Sequence, residues 1–66
     1  MPIVNIHMLE GKTAAQKEAM YEAVTDALCR TLSCNPEQVR IMITDMANSD
    51  FAIAGVSVAA RKSGSS

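Results

Sequence analysis

The chain is poor in rings: no tryptophan, one tyrosine and one phenylalanine in 66 residues. A core must therefore be made from aliphatic side chains and methionine. There is no excess of either charge. Six Lys and Arg stand against seven Asp and Glu, and no basic stretch interrupts the sequence. Without a basic patch or interleaved aromatics, nucleic acid is not an expected partner. His7 is the only histidine, and the two cysteines, Cys29 and Cys34, fit no ligand spacing, so no metal is expected. No apolar run approaches the length of a membrane span, so no membrane partner is expected either. The first eleven residues carry no Lys or Arg and lack the basic start of a signal peptide. The cysteines therefore read as small apolar residues of a reduced, cytoplasmic protein rather than a disulfide.

Length sets a further limit. A monomer this small buries only about 60% of the surface its unfolded chain exposes. Small scaffolds compensate with disulfides, a metal or oligomerisation. With the first two set aside, the sequence predicts a homo-oligomer.

Residues 2–9, PIVNIHML, alternate Val4, Ile6 and Met8 with Ile3, Asn5 and His7. This is the pattern of a strand buried on at least one side. Glu10-Gly11-Lys12 forms a turn, and Thr13 with Gln16 has the form of a capping box. The helix that follows lines up Met20, Val24, Ala27, Leu28 and Leu32 as one apolar stripe. Asn35-Pro36 is expected to end it. A second strand runs from about Val39 to Met46, with Val39, Ile41 and Ile43 on one face and Arg40, Met42 and Thr44 on the other.

Strand, helix, strand implies a parallel pair with a right-handed crossover. The single helix covers one sheet face and leaves the other needing a partner. ANSD is a turn, and FAIAGVSVAA is expected to make a short hairpin around Gly55 or to add to a neighbour's sheet. Residues 1–60 are read as one α/β domain, and the polar 61–66, RKSGSS, as a disordered tail.

Pro2-Ile3, the run Ile6-His7-Met8-Leu9-Glu10-Gly11, the run from Val39 to Ala47 (VRIMITDMA) and Phe51 together resemble the 4-oxalocrotonate tautomerase family of the tautomerase superfamily. The resemblance extends from Pro2 to about Gly55. It implies a β-α-β unit assembled as a hexamer, a trimer of dimers. It also implies keto–enol tautomerisation of a 2-hydroxydienoate such as 2-hydroxymuconate, with no cofactor. By resemblance Pro2, freed by removal of Met1, is the general base that moves a proton between oxygen and carbon. Arg40 would reach in from a neighbouring subunit and bind the 2-oxo or hydroxyl oxygen and adjacent carboxylate. Lys12 stands where the family has an arginine for the distal carboxylate. Phe51 would form an apolar wall, and Ile3 and Leu9 would line the pocket.

The chemistry suits these residue types. A base works best with a pKa near the working pH. An α-amino group starts near about 8. Nearby cations and apolar walls disfavour its protonated form, and the same cations stabilise a dienolate. With Met1 attached, Pro2 nitrogen is a tertiary amide without a basic lone pair. The same proline and cations also suit hydration or dehalogenation of an unsaturated acid, and a chain that keeps Met1 suits a non-catalytic oligomeric binding module. Each residue also has a plainer reading. Proline is tolerated at a strand's first position, a strand arginine snorkels, a turn lysine is solvated, and a lone aromatic packs in a core or interface. His7 reads as a strand or interface residue.

Overall fold

The computed structural model describes residues 1–64. Strand β1 (Ile3–Leu9) is followed by helix α1 (Ala14–Leu32) and strand β2 (Arg40–Met46). A two-residue hairpin pair, β3 (Ala52–Ile53) and β4 (Val56–Ser57), then leads into helix α2 (Val58–Gly64). β1 and β2 are parallel, in a register from Ile3 opposite Arg40 through Ile6 opposite Ile43 to Leu9 opposite Met46.

The start of α1 is the capping box its sequence predicts. Thr13 Oγ1 accepts from the Gln16 N–H at 3.1 Å, and Gln16 Oε1 accepts from the Thr13 N–H at 2.9 Å. Two donors that the helix leaves orphaned are thereby satisfied. The helix stops earlier than Asn35-Pro36: Ser33 adopts a left-handed conformation (φ 54°, ψ 48°) directly after Leu32. Pro36 instead opens a short 3-10 turn, Pro36–Gln38, where its missing N–H costs nothing. The strands likewise begin at Ile3 and Arg40, one residue later than Pro2 and Val39.

The helix-facing side of the sheet is Val4, Ile6 and Met8 with Ile41 and Ile43, all half-buried. Against it lie Met20, Val24, Ala27 and Leu28, also half-buried. Leu32, the last member of the expected stripe, is 57% exposed. Asp45 falls in step with Ile41 and Ile43 and forms an ion pair with Lys17 of α1, closing that layer at the strand's end. ANSD forms a 3-10 turn, Asn48–Asp50. The hairpin turn puts both Ala54 (φ 54°) and Gly55 (φ 82°) in the left-handed region, as a two-residue turn between twisted strands requires. Arg61 Nη2 donates to the Ile53 carbonyl at 2.8 Å and ties α2 to this hairpin. Thus 61–64, expected as disordered from its polar composition, continues a helix. The rest of that stretch, 65–66, lies outside the described residues.

No side chain among the described residues is fully buried. The accessible surface is 4811 Å², against about 4,000 Å² for a compact monomer of this mass. The radius of gyration is 15.6 Å, where a compact chain of this length has about 11 Å. The far side of the sheet is open, with Ile3 58% and Met42 51% exposed.

Candidate active site

Pro2 lies immediately before β1, at the amino end of the parallel pair. The Arg40 N–H donates to the Pro2 carbonyl at 3.0 Å, so the first rung of the ladder fixes these two residues side by side. Pro2 cannot donate, but a first strand position asks only its carbonyl to pair. Met1 is 72% exposed and Pro2 half-buried.

Ile3 and Arg40 are register partners, and both are exposed on the open face of the sheet. The Arg40 guanidinium is held locally. Its Nη1 donates to the Glu37 carbonyl and, at 3.4 Å, to the Val39 carbonyl. The 3-10 turn before β2 therefore sets where the charge sits.

The other three candidates lie at the opposite end. Leu9 closes β1 opposite Met46, and the turn after it is pinned by the Glu10 N–H on the Met46 carbonyl at 2.8 Å. Lys12 is exposed in that turn, just before the Thr13 cap. Phe51 follows the 3-10 turn after β2 and is 39% exposed. Its carbonyl accepts from the Val58 N–H at 2.8 Å, which fixes the start of α2. At about 3.3 Å per strand residue, Ile3 and Leu9 are roughly 20 Å apart. One chain thus brings Pro2, Ile3 and Arg40 together at one end, and carries Leu9, Lys12 and Phe51 to the other. A concavity of the single chain lies elsewhere, along α1 by Tyr21, Thr25 and Pro36.

The family model for tautomerase enzymes matches residues 2–61. The chain belongs to the tautomerase family. It is 44% identical over 55 residues to a 2-hydroxymuconate tautomerase of Pseudomonas putida, covering 83% of this chain and 87% of that protein. It superposes on a 4-oxalocrotonate tautomerase isozyme of Methylibium petroleiphilum with a TM-score of 0.91 at 40% identity, covering 96% and 98% of the two chains. The heterohexameric 4-oxalocrotonate tautomerase of Chloroflexus aurantiacus gives a TM-score of 0.83 at 27% identity, covering 89% and 95%.

As a tautomerase, the protein has a β-α-β unit with a carboxyl-terminal antiparallel hairpin, as its sequence predicts. The Lys17–Asp45 pair and the anchoring of Arg40 by the Glu37 carbonyl are details that sequence reading missed. The first had a signal, because Asp45 keeps the two-residue rhythm of Ile41 and Ile43. The second had none, since a carbonyl partner is invisible in residue type.

Proposed function

We propose that this tautomerase catalyses keto–enol tautomerisation of 2-hydroxydienoates, 2-hydroxymuconate among them, as in the degradation of aromatic compounds. It works in the cytoplasm as a homohexamer, a trimer of dimers. The observation that carries the reading is the pairing of Pro2 with the Arg40 strand start, beside the exposed Met1. Once Met1 is removed, Pro2 has a secondary amine at the edge of an open, partly apolar face. That amine takes the proton from the 2-hydroxyl oxygen and returns it to carbon, and the enol becomes an α,β-unsaturated ketone. Arg40 offsets the negative charge of the intervening dienolate, an interaction worth most when water is excluded. Ile3, Leu9 and Phe51 supply the apolar walls, and Lys12 meets the distal carboxylate.

The two-ended placement of these residues supports a site made from more than one copy. So do the absence of any fully buried side chain among the described residues and the excess surface. The kinship with a heterohexameric tautomerase points the same way.

The test compares protein with and without Met1, sorted by intact mass. Met1-free protein should convert 2-hydroxymuconate, with kcat/KM rising with pH to a plateau as the amine loses its proton. Pro2→Ala leaves a primary amine and should retain a lower rate. Full activity in protein that demonstrably keeps Met1 would remove Pro2 from the role of base.

A further inference from the structure

The carboxyl end of α1 brings two thiols together. Ser33, in its left-handed conformation, reverses the chain immediately after the helix. The residue after such a stop characteristically packs back over the last helical turn, on the positions held here by Cys29 and Leu28. That residue is Cys34. Its Sγ lies 3.7 Å from the Leu28 carbonyl oxygen, at the peptide that joins Leu28 to Cys29. The Cys34 side chain is a direct neighbour of the Cys29 thiol. Both cysteines are free and half-buried, within reach of small molecules. Neither takes part in the tautomerase chemistry proposed above.

We infer that Cys29 and Cys34 form a modification site, a dithiol oxidised to an intrachain disulfide by a small-molecule disulfide of the glutathione type. The left-handed stop at Ser33 does the work that chain flexibility would otherwise do. It removes most of the loop-closure search, because the two side chains already share one turn. The bond needs Cα atoms about 4.4–6.8 Å apart, which makes the oxidation itself the measure of how closely the two residues approach.

The two thiols differ in role. Partial burial, and then the Cys34 side chain beside it, push the Cys29 thiol above its ordinary pKa; the nearby Asp26 carboxylate adds to this. Cys29 is therefore slow to attack first, since only the thiolate is nucleophilic. Cys34 thiolate attacks the glutathione disulfide, forming a mixed disulfide and releasing one glutathione thiolate. Cys29, losing its proton to solvent, then attacks the Cys34 sulfur and expels the second glutathione. Two thiols and one small disulfide become one protein disulfide and two small thiols, a two-electron exchange.

The experiment treats reduced, assembled wild-type protein with oxidised glutathione. Free thiols should fall from two per chain to none, and the intact mass should drop by two hydrogens. The chain should run as a monomer on a non-reducing denaturing gel. Trypsin cleaves at Arg30, inside the closed loop, so the two resulting peptides should stay joined until a reductant is added. Cys29→Ser should stop at a single glutathione adduct on Cys34. Retention of both thiols would overturn the assignment, as would adducts on both cysteines without the mass loss, or chain-to-chain dimers. The wild-type measurement decides by itself, whether or not the variant folds.

Discussion

The two faces of the β1–β2 sheet are built from the same two strands and differ in almost every respect. Towards α1 stand Val4, Ile6, Met8, Ile41 and Ile43, closed by the Lys17–Asp45 pair. Apart from Asp45, that face is apolar and half-buried within one chain. The opposite face alternates in register: Ile3 beside Arg40, Asn5 beside Met42, His7 beside Thr44. It mixes apolar and polar groups and lies open, with Ile3 and Met42 more than half exposed. A helix can cover the first face because it needs only apolar area. No element among the described residues covers the second, which also has polar groups to satisfy. The difference separates a layer that makes a fold from a surface that, on the proposed function, meets another copy and carries chemistry at its edge.

The sharpest way to break that contrast is to charge the open face. Met42→Asp places a carboxylate where the proposed assembly would bury a methionine. An unpaired buried charge is destabilising by about 3–5 kcal/mol. We expect dissociation, followed by loss of the folded state, because no side chain among the described residues is fully buried within one protomer. Ile43→Ala, one residue on and facing the helix, should instead lower the melting temperature while leaving the assembly intact. Its cost should sit near the low end of the usual range, about 2 kcal/mol, since Ile43 is half-buried. Sedimentation velocity separates the two cases, and a Met42→Asp protein that sediments like wild type would remove the open face from the interface.

Arg40 tests the chemistry at the edge of the same face. Arg40→Ala should lower kcat by about 10²–10³, or 2.7–4 kcal/mol, the usual loss for one oxyanion-stabilising group. Melting temperature should scarcely move, because the guanidinium is exposed and bonds only to nearby carbonyls. An unchanged kcat in a folded, assembled variant would retire the assignment.

Most of the helix-facing layer was legible in the sequence, because period two in the strands and the Thr13–Gln16 box are local signals. The parallel pairing followed from element order. Two local features were not legible. Ser33 is not a residue type that advertises a left-handed stop, so α1 reads as running to Asn35-Pro36. The tail reads as disordered because RKSGSS is polar, yet Arg61 finds a carbonyl on the hairpin that holds α2. The candidate site rests on resemblance alone. No spacing along one chain relates Lys12 and Phe51 to Pro2, and the structure leaves them at opposite ends of the sheet.

Lys12 should show the smallest effect, and it bears on the end of the sheet farthest from Pro2. An arginine there would hold a carboxylate through two parallel hydrogen bonds, whereas lysine gives one charge-assisted contact on a flexible stem. One hydrogen bond to a charged group is worth about 1.5–3 kcal/mol when desolvated. Lys12 is exposed in the single chain, and solvent screening reduces the effect to about tenfold or less. Lys12→Arg should raise kcat/KM for 2-hydroxymuconate, which has a distal carboxylate. It should leave phenylenolpyruvate, which has none, nearly unchanged. The quantity to measure is the ratio of the two specificity constants in wild type and variant. A ratio that stays put would place Lys12 outside the pocket, as a solvated turn lysine. A ratio that moves would tie the far end of one chain to the Pro2 end of another, which only an assembly can do.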